Sequence, residues 1–478
     1  MTLTKKIATN VFWQILGKGI ATIFSVITIG LLTRYLGQSG FGYYSTALAF
    51  MQFFGVLVDF GLYLVCLKEI ATTPDKEEKI IANVLTIRLI SAFFFLAGGV
   101  ILLYCLPYPM IVKQAALVVS FSFFLMSLVQ ILTSVFQTRL KMGYVALAEA
   151  LGRLFFLGLI WLFINKQAGL SMIMVGNIAN AFVYFIVLWL FARRWLKLHL
   201  AWDWSYQKRI FTLSWPIALG IVFNLVYFRA DTIILSWYHS ASVVGLYSAP
   251  YKILEIITTF PHMFMGLVMS FLASSVVLKN FTRTSEILQK VFDFFIMISL
   301  AMVFLMTPVA TKIMTLIAGQ DFAVSGQILP LLLIATAIIF LGTPFTYAIV
   351  VLEKQKTMLK YFAIAAVLAL VGYFIFIPRY SYWGAAWVTV VVELFISLSA
   401  GILTYRFSGF VPRLKVFAKS LISAIIGFAV CWLLKDLYVL WSLVISFAVY
   451  SLCLILFKAI SRETLQELLS LKTKPPVL

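Results

Sequence analysis

The residues that could do chemistry stand as charges inside apolar stretches. The densest group lies between Tyr227 and Glu255, in YFRADTIILSWYHSASVVGLYSAPYKILE. Two apolar arms meet there at a short polar turn, Tyr238-His239-Ser240-Ala241-Ser242. Arg229 and Asp231 precede the turn, and Lys252 and Glu255 follow it. With both arms helical, counting outward from the turn puts Arg229 and Lys252 at one depth, roughly 17 Å below it. A charge so deep in lipid is costly and must face a bundle interior or an aqueous cavity, where it marks a substrate or ion pathway. Arg229 and Asp231 are two positions apart and point to different faces of a helix.

Further charges occupy other apolar runs. Lys18 has no acid nearby in sequence, and Glu393 stands alone in a late run. Glu149 and Arg153 are spaced i,i+4, which predicts an intrahelical pair that supports packing. Asp59 and His262 are separated by 203 residues, the period of an internal repeat described below. A carboxylate or imidazole at such a position is a candidate for ion coupling, through H⁺ in either case or Na⁺ at the carboxylate. No HExxH, P-loop, GxSxG or metal-spaced His/Cys cluster is present, which argues against an enzyme and against a metal or other cofactor. The four cysteines lie far apart in or near apolar runs and read as small apolar fillers.

The elements that must position these charges are membrane spans. Of 478 residues, 63% are hydrophobic and 11% charged, against about 25% charged in an ordinary soluble chain. Apolar runs of ~20 residues are long enough to cross a bilayer. About fourteen are legible, from residues 10–33 at the start to 416–434 and 438–457 at the end. The first is too long for a cleaved leader. The net charge of +20 does not mark a nucleic-acid protein. Basic residues gather in alternate connections: Lys68 to Arg88, Arg139 and Lys141, Arg193 to Arg209, Lys279 to Lys290, Lys354 to Lys360, Arg406 to Lys419, and a tail with Lys458, Arg462, Lys472 and Lys474. That bias puts both termini in the cytoplasm.

The stretch around the Tyr238 turn has an earlier copy. A shift of 203 residues pairs Tyr238 with Tyr35, Ser242 with Ser39, Gly245 with Gly42, Tyr247 with Tyr44 and Ser248 with Ser45. At 213 residues, Asn180 meets Glu393 and Arg193 meets Arg406. The segment Arg193–Arg209, rich in Trp and basic residues, reads as an interfacial linker helix between the copies. The expected fold is an all-α polytopic membrane protein of about 14 transmembrane helices. Residues 1–200 and 201–410 form two six-helix lobes related by the repeat, and residues 411–478 add two C-terminal helices and a cytoplasmic tail. Repeats of this kind place a functional site where the halves meet.

Two motifs carry a family resemblance. TNVFWQILGKG with LLTRYLGQSGFGYYSTALAFMQFFGVLVDFGL resembles the N-terminal signature of polysaccharide (O-antigen type) flippases. RADTIILSWYHSASVVGLYSAPYKILE resembles the motif that opens their second lobe. These flippases form a branch of the multidrug/oligosaccharidyl-lipid/polysaccharide exporter superfamily. The resemblance implies two lobes around a central cavity, and alternating access that carries an undecaprenyl-diphosphate-linked oligosaccharide across the bacterial inner membrane. It also implies an ion gradient, H⁺ or Na⁺, or the membrane potential as a driving force, and a polysaccharide polymerase and chain-length regulator as partners. Under it Lys18, Arg229 and Lys252 become candidate ligands of the diphosphate, since arginine binds phosphate in a bidentate way. Asp231 and Glu255 become counter-charges that hold them while the cavity is empty. The alternatives are a multidrug antiporter of the same superfamily and a membrane component of polysaccharide assembly that does not transport.

Overall fold

In a computed structural model, which describes residues 3–196 and 199–459, all regular structure is helical and no strand forms among the described residues. Lys197 of the linker and Arg462, Lys472 and Lys474 of the tail lie outside them. Among the described residues, twelve helical segments are long and apolar enough to cross a membrane. Two need dividing. Helix α1, Leu3–Asp59, has 57 residues. At 1.5 Å per residue that is about 85 Å, far beyond one crossing of ~30 Å. It breaks at Gly37, whose φ of 62° and ψ of −175° fall in a region open essentially to glycine alone. Its arms are the first and second expected spans. The helix that closes the expected repeat, Gln355–Ser408, breaks in the same way at Ser381. Divided at these breaks, the twelve described segments become fourteen, the number of spans expected from hydropathy.

The remaining helices run in order. α2 is Leu62–Thr72, α3 Glu77–Cys105, α4 Met110–Thr138, α5 Met142–Asn165, α6 Leu170–Ala192, α7 Trp204–Tyr238 and α8 Ala241–Val277. They are followed by α9 Phe281–Met306, α10 Ala310–Ala318, α11 Ser325–Val351, α12 Gln355–Ser408, α13 Lys415–Leu433 and α14 Val439–Leu456. A 3₁₀ turn, Thr307–Val309, joins α9 to α10. It contains Pro308, which cannot donate to a regular helix.

The linker expected to be helical from Arg193 takes another form. Helix α7 starts only at Trp204, with Asp203 as its N-cap. The Asp203 carboxylate accepts from the Tyr206 N–H at 3.1 Å and meets Lys79 Nζ at 2.7 Å. The hydrogen bond from Lys79 is the main influence holding that carboxyl below its usual range.

The chain folds into two compact units. Of the described residues, the first takes those within 1–256, 315–325 and 359–392, and the second those within 257–314, 326–358 and 393–478. Inside the first unit the two copies of the hairpin motif meet through glycines. A Cβ on Gly42 would lie 1.8 Å from the carbonyl oxygen of Ala241, and one on Gly245 would lie 2.0 Å from that of Gln38. Ala241 and Gln38 are themselves 203 residues apart. The two contacts are therefore one contact made twice, as across a two-fold axis. The Ser242 hydroxyl donates to Gln38 Oε1 beside it. In the second unit, α13 and α14 pack on α9 around Leu305, Ala424, Tyr450 and Leu454, and Tyr450 donates to the Met297 carbonyl at 2.7 Å.

Gly245→Val should lower the melting temperature of the purified protein by about 1–3 °C, because overpacking costs about 1–3 kcal/mol and a chain of 478 residues shifts by only about 1 °C per kcal/mol. Gly98→Ala, where an added Cβ meets nothing within 4 Å, should leave it unchanged. Thermal unfolding in detergent followed by size-exclusion fluorescence makes the comparison, and equal stability of the two variants would contradict the glycine contact.

Candidate functional site

Helices α7 and α8 position the main cluster. Lys252 and Glu255 are one turn apart on α8, and Lys252 Nζ lies 2.9 Å from Glu255 Oε2. Arg229 reaches across from α7 and forms an ion pair with Glu255 Oε1. Two cations thus share one carboxylate, and all three side chains are largely buried. The Arg229 guanidinium also stands over the Tyr251 ring at 5.8 Å from its centroid. Its Nε has no acceptor among the described residues.

A small cavity of about 10 Å³ opens beside this trio, room for roughly one water. Ser45 and Gln52 from the second arm of α1 face it, together with Thr232 of α7 and Ser248 of α8. Ser45 and Ser248 are a repeat pair, and both hydroxyl oxygens are buried without a partner among the described residues. The same shift pairs Ala49 with Lys252, Gln52 with Glu255 and Val26 with Arg229. The second copy carries charge where the first is neutral.

Asp231 has a different task from the expected one. It forms no ion pair with Arg229. Its carboxylate accepts the Tyr247 hydroxyl at 2.6 Å, the Thr232 N–H at 2.6 Å and the Thr232 hydroxyl at 3.2 Å. The separation of two residues turns it to another face of α7, so Glu255 alone stands as the carboxylate at Arg229.

The intrahelical pair expected between Glu149 and Arg153 is also absent. Glu149 Oε1 accepts instead from Lys18 Nζ at 2.7 Å, across from α1. Gly17 makes this possible, since a Cβ there would lie 2.5 Å from the Ala146 Cβ on α5. The helices approach closely at that level, and Lys18 arrives within reach. Arg153, one turn further along α5, is left with no ion pair or hydrogen bond among the described residues.

A chain of many apolar helices fits the comparisons with known proteins. A family model described as polysaccharide biosynthesis protein matches residues 7–271, more than half of the chain. The chain belongs to the polysaccharide biosynthesis protein family. Over 260 residues it is 25% identical to a Shigella flexneri protein named "Putative O-antigen transporter". That match covers 51% of this chain and 61% of the relative, less than two thirds of its length. Among solved structures, the inward closed conformation of the lipid II flippase MurJ has a TM-score of 0.73 at 16% identity, covering 93% of this chain and 98% of that one. An inward-facing multidrug resistance MATE family transporter of the MOP superfamily has a TM-score of 0.60 at 15% identity, covering 84% and 97%. At these identities the likeness is one of fold.

The two ion-coupling candidates of this polysaccharide biosynthesis protein have unlike surroundings. Asp59 ends α1 where the chain breaks at Phe60 and Gly61, both at positive φ. It accepts the Tyr63 N–H at 3.3 Å and a guanidinium N–H of Arg88. Arg88, counted above among the loop charges, is buried at 0% exposure within α3. It also donates at 2.7 Å to the Ser127 carbonyl and to Gln130 Oε1. His262 belongs to the second unit, where its carbonyl accepts from the Tyr347 hydroxyl at 3.2 Å and its ring lies 6.2 Å from that of Tyr347.

Asp59→Asn should cost about 3–5 kcal/mol, because it strands a buried guanidinium, whereas the double variant Asp59→Leu with Arg88→Met should recover most of that loss. Chemical unfolding in mild detergent measures both. An Asp59→Asn protein as stable as the parent would show that the pair contributes nothing.

Proposed function

We propose that this protein is a flippase, not an enzyme, that carries an undecaprenyl-diphosphate-linked oligosaccharide repeat unit across the bacterial inner membrane. The observation that supports this most is the shared carboxylate. Arg229 and Lys252 have one acid between them, Glu255, inside membrane-spanning helices of a polysaccharide biosynthesis protein. An isolated buried anion costs several kcal/mol, and surplus cations set at the crossing depth offset that cost for a diphosphate. The free Nε of Arg229 and the unpartnered hydroxyls of Ser45 and Ser248 supply donors for phosphate oxygens. Lys18 stands further along α1, held by Glu149.

Helix α7 also borders an apolar cavity of about 260 Å³, lined by Phe50, Phe54, Ala230, Trp237 and Phe374 among others. Its lining suits the isoprenoid chain of the carrier. Alternating access between residues 1–200 and 201–410, with both termini in the cytoplasm, completes the mechanism. Coupling to H⁺ or Na⁺ through Asp59 would require Arg88 to release that carboxylate, while His262 has no ion pair among the described residues to break. A multidrug antiporter of the same fold is the second possibility, but an excess of buried cations repels a cationic drug.

Arg229→Ala and Lys252→Ala should each lower surface polysaccharide at least about tenfold in a flippase-null strain, with normal amounts of protein in the membrane, since a charge-assisted hydrogen bond contributes about 1.5–3 kcal/mol. Full complementation by the Arg229→Ala, Lys252→Ala double variant would overturn the assignment.

A further inference from the structure

Arg153 is the cation without a task. It lies within a membrane-spanning helix, half buried, on the turn of α5 that follows Glu149. Its natural acid is Glu149, four residues before it, but that carboxylate is taken by Lys18 at 2.7 Å. Its position is fixed from behind. A Cβ on the preceding Gly152 would come within 2.9 Å of both the carbonyl and the side-chain oxygen of Asn180 on α6, so α5 sits tightly against that helix. Arg153 lies within electrostatic reach of the Tyr44 and Tyr184 hydroxyls and of Lys252. A guanidinium within a membrane-spanning helix is costly without an anion beside it.

Arg229 and Lys252 share one carboxylate, Glu255, while the carboxylate of Asp231 is turned away from them to Tyr247 and Thr232. Lys18 and Glu149 pair with each other, which leaves Arg153 as a further cation with donors to offer. A diphosphate esterified at both ends presents two anionic phosphates, and a phosphodiester presents one.

We propose that Arg153 is a ligand for the second phosphate of the lipid-linked substrate, kept available by the Lys18–Glu149 ion pair, so that the site selects a diphosphoryl lipid over a monophosphoryl one. This assignment rests on the phosphate site proposed at Arg229 and Lys252. It gives Lys18 an indirect part, since Lys18 occupies the carboxylate that would otherwise neutralise Arg153. Loss of either member of the Lys18–Arg153 pair should then have the same effect, although the two side chains do not bond each other.

The test uses the full chain, purified in mild detergent, and two synthetic probes that differ only in the linkage, a farnesyl-diphosphoryl monosaccharide and the matching farnesyl-phosphoryl monosaccharide. The parent should bind the diphosphoryl probe at least about tenfold more tightly, the scale of one charge-assisted contact. Arg153→Gln should bring the two affinities within about twofold, and Arg153→Lys should keep most of the preference. Lys18→Gln should behave like Arg153→Gln, because the released Glu149 folds onto Arg153. Adding Glu149→Gln to Lys18→Gln should restore the preference. Elution profiles and melting temperatures confirm that each variant is folded. An Arg153→Gln protein that keeps the parental ratio would overturn this assignment and leave the Arg229–Lys252 site standing. A parent that binds neither probe would overturn that site, and the role of Arg153 with it.

Discussion

Two cations sharing one carboxylate in a lipid-embedded core is the interaction on which this structure depends. Burial makes each of these charges costly, and the Coulomb attraction at Glu255 offsets that cost only in part because one acid serves both Arg229 and Lys252. A trio balanced for packing alone would carry a second acid, and Asp231 is near enough in sequence to have been that acid. It is instead turned to Tyr247 and Thr232 and satisfied there. Glu255 is therefore the acid that both cations share, and the proposed anion site rests on that sharing.

The hairpin glycines make this arrangement possible. Gly42 and Gly245 let the two copies of one motif touch at backbone distance. That brings the second arm of α1 against α8, and with it Ser45 against the cavity that Ser248 also lines. The repeat supplies a symmetric frame, and the second copy alone supplies Arg229, Lys252 and Glu255. An anion held there would meet charged side chains from one copy and neutral hydroxyl and amide groups from the other.

Much of the fold was legible in the chain. The apolar runs gave the crossings, and even the breaks inside α1 and α12 fell between runs separated by a charge, at Arg34 and Arg379. The 203-residue shift singled out Gly42 and Gly245 before any contact was known. The partners of the buried charges were not legible. Spacing within one helix predicted Glu149 with Arg153, but a partner from another helix took the acid, because Gly17 lets α1 come close enough for Lys18 to reach it. Asp59 likewise found Arg88, a residue that hydropathy had placed in a loop. Periodicity says that a charge faces inward, and it is silent on which helix it will face. A small residue on the helix opposite is the nearest thing to a sequence signal, and Gly17, directly before Lys18, was one.

The central claim is that the chain moves a diphosphate-linked saccharide between leaflets, and transport by the purified protein tests it most directly. Proteoliposomes would carry a fluorescent prenyl-diphosphoryl oligosaccharide in both leaflets, and an impermeant quencher would report how much reaches the outer one over time. The account predicts that vesicles holding the protein expose the inner pool within minutes, while protein-free vesicles keep roughly half of the probe protected. An inner pool that stays protected at the protein-free level, with the protein folded and correctly inserted, would contradict it.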